Sequence, residues 1–495
     1  MKRRHLILLC VSLLTGCRST PETLQPLVTD DGSVLSLAVG KVTELDDPMT
    51  RASLLLDIAS AYAAEGEDEN VLALADYLVV LAEEAGGSEE SIRLRLRVAP
   101  LFVDTDQRER SGHILEAALD LVSVVTFPEV RADLLVETIN QALRCGENGR
   151  SAVRSAVDQV YVIEDPALRV ETLISVADLY QQSGDALSVT SLIHQSVAAV
   201  RSVNEPRFRA YLFGSLARLA AAAREQILVE RLIQDAVRSL ENESAPSVEE
   251  ERHVAELVSI LADLGAVSSA AAVTDTLSSA GPLAHALIAV AEAASEPAVS
   301  FALLERALAL TEQAETEEEI VDLLVQIGRV YLLRGDAEDA ARMADRASRS
   351  ILQSAVLRTR SDLLVDLVDL YPPAAWVTTL LEYVDAAADP LVKGSVAIAA
   401  AEWLVAHDRR TDADTFLDIA RDASEDAAYL SDALRLSVVK GFTTVGNLAS
   451  AFDVLASMSD ITLRIQALTF MAVELSAVEP LSGPIMSAYV DLAEA

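Results

Sequence analysis

The sequence predicts an all-α chain: a right-handed α-solenoid of about a dozen antiparallel helical hairpins. Three observations lead there. A spaced motif recurs down the chain, the apolar residues around it keep helical spacing, and strand signals are missing.

The motif is seen by aligning on proline. Pro48 is followed by Arg51, Ile58-Ala59, Tyr62 and Gly66. Pro128 is followed by Arg131, Thr138-Ile139, Ala142 and Gly146, and Pro166 by Arg169, Val176-Ala177, Tyr180 and Gly184. Pro206 keeps Arg209 and Leu216-Ala217 but has Arg224 in place of the glycine, and Pro390 keeps Lys393 and Ala400-Ala401. Pro128, Pro166, Pro206, Pro246 and Pro282 lie 38, 40, 40 and 36 residues apart. A fixed period of that size marks a repeat architecture, and from Val34 it leaves room for about a dozen units.

Each unit divides into two helices. Asp165 is a good N-cap, and Pro166 suits the first turn, where its missing N–H costs nothing. Leu173, Val176, Ala177 and Tyr180 then mark one apolar stripe. Gly184 supplies the left-handed residue that ends the helix. Asp185 caps a second helix carrying Val189, Leu192, Ile193, Val197 and Val200 at the same spacing. The short turn makes an antiparallel hairpin, which cannot bury both faces alone, so neighbours stack. Alternating Val/Ile/Thr runs are absent, and aromatic residues make up 4% of the chain.

The units resemble tetratricopeptide repeats. The copy that carries the resemblance best is Leu324, Ile327, Gly328, Tyr331, Gly335-Asp336, Ala340, Ala344 and Ala347. Leu173 to Asp185 matches its first half, as does Leu55, Ile58, Ala59, Tyr62 and Gly66. Many other units lack the tyrosine and the glycine, and the period exceeds the family's usual length of about 34 residues. A tetratricopeptide-like solenoid is therefore expected, with a HEAT-like repeat as the alternative. The resemblance implies that first helices line a binding groove. Its candidate partner-binding residues are Asp178, Gln181 and Gln182, with Arg329 at the position equivalent to Asp178.

The amino terminus reads differently. Lys2, Arg3 and Arg4 precede an apolar run, Leu6 to Leu14, that is too short to span a bilayer. Leu14-Thr15-Gly16-Cys17 resembles the lipobox of bacterial lipoproteins, which implies cleavage between Gly16 and Cys17 and lipidation of Cys17. Arg18, not aspartate, follows the cysteine, and by the same resemblance this favours the outer membrane. The expected organisation is a signal peptide at 1–16, a lipidated polar tether at 17–33 and the solenoid at 34–495. Cleavage removes three cations and takes the formal charge from −38 to −41. Such a surface repels nucleic acid and anionic lipid head groups. Cys145 would be the remaining cysteine of the body, before Gly146 at a helix end, where a buried structural role is expected.

Motifs for chemistry are sparse. His113, His194, His253, His285 and His407 are scattered, and no pair stands at zinc-binding spacing. GxSxG, HExxH and a phosphate-binding Gly-Lys-Ser/Thr loop are missing. Asp408, Asp412, Asp414 and Asp418 cluster without the glycine and terminal glutamate of a calcium loop, and Asp412 reads as a cap or turn residue. The segment 241–251 reads as a longer loop, and the acidic run 315–319 as the approach to a helix.

The expectation is a non-catalytic, lipid-anchored scaffold or adaptor that binds other envelope proteins. It carries no catalytic residue, metal, cofactor, nucleic acid or small-molecule substrate. An acidic groove prefers a cationic peptide or a protein helix. The alternative is an α/α-toroid enzyme acting on polysaccharide. It would need aromatic platforms, for which the chain offers Trp376 and Trp403, each on an apolar helical stripe.

Overall fold

A computed structural model describes residues 34–43, 45–240, 247–353, 367–371, 375–387, 389–426 and 431–476. Gly16, Cys17 and the rest of the expected signal and tether lie outside the described residues, as does Pro246. Among the described residues there are 23 α-helices and no strand.

A lone helix, α1 (Val34–Thr43), comes first. Hairpins follow: α2 (Pro48–Glu65) with α3 (Asp68–Glu84), α4 (Glu89–Asp104) with α5 (Arg108–Val122), and α6 (Pro128–Arg144) with α7 (Arg150–Tyr161). Next come α8 (Pro166–Gln182) with α9 (Ala186–Val200), α10 (Pro206–Ala222) with α11 (Gln226–Ser239), and α12 (Val248–Asp263) with α13 (Val267–Thr274). Then follow α14 (Ala280–Ala293) with α15 (Pro297–Thr311) and α16 (Glu317–Leu333) with α17 (Ala337–Gln353). The described chain ends with α18 (Trp376–Ala386), α19 (Pro390–Ala406) with α20 (Arg410–Asp426), α21 (Ser431–Val445) with α22 (Leu448–Ser457), and α23 (Ile461–Ser476). The fold is an all-α, tetratricopeptide-like helical repeat.

Local sequence fixes the hairpin boundaries. Pro48, Pro166, Pro206 and Pro390 open their helices, where no amide hydrogen is needed. Asp165 accepts from the Ala167 amide at 2.8 Å, and Asp185 from the Ser188 amide at 3.1 Å. Pro282 departs from the pattern: it is the third residue of α14 and is buried. The predicted stripe of α8 holds, with Leu173, Val176 and Ala177 buried, while Tyr180 is only half-buried. In α9, Ser196 is buried and Val197 is half-buried. The 241–251 segment is shorter as a loop than expected. Helix α12 starts at Val248, capped by Ser247, whose hydroxyl and the Glu250 carboxylate bond each other's backbone. The acidic run likewise enters α16, with Thr316 as cap and Glu317, Glu318 and Glu319 in the first turn.

One backbone feature is more regular than the sequence. Gly66, Gly146, Gly184, Gly265, Gly335 and Gly446 close first helices with positive φ, and so do Asp106 (58°), Arg224 (63°) and Asp408 (59°). The left-handed turn is thus kept where glycine is lost.

The chain divides into two compact units. The first gathers Met1–Thr126, Asn140–Arg154 and Arg435–Ala495, the second Phe127–Ile139 and Ser155–Leu434. In the first, α1 packs on α2, and α23 packs on both. Elsewhere a hairpin makes the same triangle with the next first helix, so α1 stands to α23 as a second helix stands to a first. Cys145 is buried in this unit, its sulfur 2.9 Å from the Ser111 hydroxyl. Burial pushes its thiol up, which keeps it protonated and unreactive.

In the second unit, α8, α10, α12, α14 and α16 each pack on the next, forming a continuous layer of first helices. The second helices α9, α13 and α15 bridge to the following first helix. Close approach within the layer uses small residues. A Cβ on Gly214 of α10 would lie 2.6 Å from Leu257 Cδ1 of α12.

Candidate binding groove

The groove of interest lies on the first-helix layer of the second unit. It is a cavity of about 380 Å³ lined by α12, α14 and α16, with Arg252, Glu256 and Ser259 on one side and Glu319 and Gln326 on the other. Ala255, Pro282 and His285 form the rest of its wall.

Helix α14 is the floor of this groove, and its neighbours fix both of its ends. Its N-cap residue, Ser279, makes no side-chain cap bond. Glu251 of α12 does that work from the preceding hairpin. Its carboxylate accepts from the Ser278 amide at 3.1 Å, the Ser278 hydroxyl at 2.5 Å and the Ser279 amide at 2.6 Å. Only 1% of Glu251 is exposed. Burial by itself raises the Glu251 carboxyl, but the hydrogen bonds from Ser278 and Ser279 outweigh it and hold the group below its ordinary value. At the other end Arg334, just past α16, donates to the carbonyls of Ala291, Glu292 and Ala294 at 2.6–2.9 Å. An anion at the N-terminus and a cation at the C-terminus both match the helix dipole.

Within the groove, His285 Nδ1 is 3.2 Å from Gln326 Oε1, and His285 Nε2 is 3.8 Å from the Asp322 carboxylate. Gln326 Nε2 donates to Asp322 at 2.8 Å. Glu319 accepts the Glu315 amide at 3.1 Å and packs its other carboxylate oxygen over Gly281, where a Cβ would come within 1.9 Å.

The partner-binding candidates from the sequence are spread along the same layer. Asp178 is half-buried on α8, and burial raises its carboxyl while Arg218 of α10 opposes the rise. Gln181 is half-buried with its Oε1 inside the protein and unpaired, Gln182 is exposed, and Arg329 is exposed on α16 three residues beyond Gln326. None of the four lines the cavity. The lining residues Arg252, Glu256, Ser259 and His285 were missed as a set. A signal existed for part of it: Arg252 stands thirteen residues before the left-handed Gly265, as Glu171 does before Gly184 and Asp322 before Gly335.

The other histidines and the tryptophans sit in small clusters. His253 lies against Phe208 and Tyr211, with ring centroids 4.8 and 5.7 Å away. His113 and His194 are exposed. Trp403 stacks on His407 at 3.9 Å and meets Trp376 edge-on at 4.6 Å, so each tryptophan contacts a ring besides lying on its helix. Asp408 takes the left-handed turn, and Asp412 lies inside the first turn of α20, where Arg409 donates to it at 2.6 Å, rather than capping the helix.

Helical hairpins stacked on a layer of first helices define a helical-repeat protein. No family model matches the chain, and no curated protein matches it. Solved structures are similar over most of its length. Ton1535 from Thermococcus onnurineus NA1 is 16% identical, with 72% of this chain and 98% of that one covered and a TM-score of 0.28. A Rap protein complexed with competence and sporulation factor is 11% identical, covering 68% and 99% at a TM-score of 0.27. The human IFIT1 dimer with m7Gppp-AAAA is 11% identical, covering 88% and 98% at a TM-score of 0.30. Scores this low leave the fold to be argued from the chain's own geometry.

Proposed function

We propose that the protein is a non-catalytic adaptor that binds another protein of the cell envelope through its first-helix groove and is held at the membrane by lipid on Cys17. The observation that carries the adaptor reading is the groove itself. It is a walled surface on three successive first helices, its floor helix clamped at both ends by flanking hairpins, so a guest would meet a preorganised site. Against the polysaccharide-cleaving alternative stands the use of the tryptophans. Trp403 already gives one face to His407 and meets Trp376, which leaves little open platform for a sugar ring.

The tether reading rests on the basic, apolar and Leu-Thr-Gly-Cys sequence of residues 1–17. Among the described residues no helix is long and apolar enough to cross a membrane. Acyl chains on Cys17 would anchor the body stably when more than one is present. The Cys17→Ser variant is expected to leave the membrane fraction, and wild-type protein found free of membrane would refute the anchor. For the adaptor, cross-linking in intact cells followed by mass spectrometry should return one stoichiometric partner. Release of reducing sugars from an envelope polysaccharide by the purified body would favour the toroid enzyme instead.

A further inference from the structure

The hydrogen bonds in the groove fix which atoms face its space. The Asp322 carboxylate only accepts, so the Gln326 atom 2.8 Å from it is the amide nitrogen. The other end of that amide, 3.2 Å from His285 Nδ1, is then its oxygen, which also only accepts. His285 Nδ1 therefore carries a hydrogen. In the neutral ring Nε2 is left as an acceptor, and it faces another acceptor, Asp322, at 3.8 Å. In that form Nε2 and the half-exposed Asp322 carboxylate offer two acceptors to a donor that enters the groove.

The surrounding charges point the same way. Glu256 is exposed on α12, and Glu319 is fixed in place by the Glu315 amide and by contact with Gly281. Against the lining carboxylates Glu256 and Glu319, with Asp322 3.8 Å from His285 Nε2, stands one guanidinium, Arg252. The wall between them is apolar, made by Ala255 and Pro282. A cavity of about 380 Å³ is at the small end of binding pockets and has room for one long side chain.

We infer that the groove seats a single basic side chain, an arginine or lysine on an extended segment of the partner. Its N–H groups bond Asp322, His285 Nε2 and Glu256, and its methylenes lie on Ala255 and Pro282. Ionised donor and acceptor make such bonds stronger than neutral ones. This deepens the adaptor reading and rests on it for the identity of the guest as a protein.

The test uses the full-length chain with ¹³C in its histidine rings, followed by NMR. The probes are two pentapeptides, acetyl-Ala-Ala-Arg-Ala-Ala-amide and its counterpart with glutamate in the middle. His285→Gln assigns the His285 signal, and the exposed His113 and His194 report unspecific effects and intact folding. The arginine peptide should move the His285 signal saturably and leave His113 and His194 in place, and the glutamate peptide should do neither. Asp322→Asn and Glu256→Gln should each weaken the arginine peptide by about tenfold or more, as for loss of a charged hydrogen bond. A silent His285, an equal response to glutamate, or full binding by both variants would overturn the inference. A cellular partner recovered from the groove while His285 stays silent would leave the adaptor standing and this inference refuted. Arginine-peptide binding with no protein partner would do the reverse.

Discussion

At the scale of single residues, the arginine of Pro-x-x-Arg is a structural pin in the copies that start at Pro166 and Pro206. The Arg169 guanidinium donates to the Ile163 carbonyl at 3.1 Å, and Arg209 donates to the Val203 carbonyl at 3.0 Å. Each carbonyl lies in the turn that ends the preceding hairpin, so the arginine ties one unit to the next. The cation sits at the helix end that disfavours it, and a carbonyl acceptor makes that position useful. Arg209→Ala should cost about 1.5–3 kcal/mol, as for a hydrogen bond to a charged group. Hydrogen exchange of the 201–206 turn should rise accordingly; an unchanged rate would show that the bond does not hold the turn. Arg224 invites the opposite change. A non-glycine residue in the left-handed region costs about 1–2 kcal/mol, partly offset by the greater chain entropy that glycine loses on folding. Arg224→Gly should therefore stabilise the α10–α11 hairpin by about 0.5–1 kcal/mol, measured by hydrogen exchange; a loss of protection would contradict it. Gly184 was readable in the sequence as a helix terminator. The alignment put Arg224 in the glycine's place without showing that it keeps the left-handed turn, and Asp106 and Asp408 were not read so, because a non-glycine residue is a weaker signal for that conformation.

At the scale of the helix, α14 shows how far capping can travel. Its own sequence offers no working cap, and Glu251 and Arg334 supply both from neighbouring hairpins. The hairpin pattern, its proline starts and most of its buried stripes followed from spacing, since those are local. These two caps could not be read, because they join residues far apart in the chain and depend on how the hairpins stack. Glu251→Gln should destabilise the region by about 1–3 kcal/mol, because buried amides lose a charged acceptor. Arg334→Ala should act on the same helix. Both should appear as faster exchange over 278–294, and protection there equal to wild type would refute the clamp. The pH dependence follows from the direction of the shift. The Glu251 carboxyl is lowered in the folded chain, so its contribution is fully present above the unfolded glutamate value, about 4.3. It is lost as pH falls from there through the folded value. The Glu251→Gln variant should therefore converge with wild type in strong acid, and a gap that stays constant would exclude the charge as the cause.

At the scale of the molecule, composition constrains function more than it names it. A formal charge of −38 on 495 residues disfavours anionic partners and favours cationic ones. The groove keeps that preference locally, with two carboxylates, Glu256 and Glu319, in its lining against one arginine. The sequence pointed to the first-helix layer, and the cavity lies on other helices of it than most of the four candidates, although Ser259 in its lining holds the repeat position of Asp178 and Arg329, six residues before the left-handed glycine. Asp178, Gln181, Gln182 and Arg329 were taken from the clearest repeats, whereas the cavity is built on α12 and α14, whose repeats are degenerate and whose registration needs the backbone turns. The account's central claim is that this groove holds a protein partner. The most direct measurement is photo-cross-linking in living cells from Ser259, inside the groove, compared with Gln234, exposed on the second helix α11. One protein species should cross-link in stoichiometric amount from Ser259 and not from Gln234. The same species from both positions, or none from Ser259, would contradict the claim.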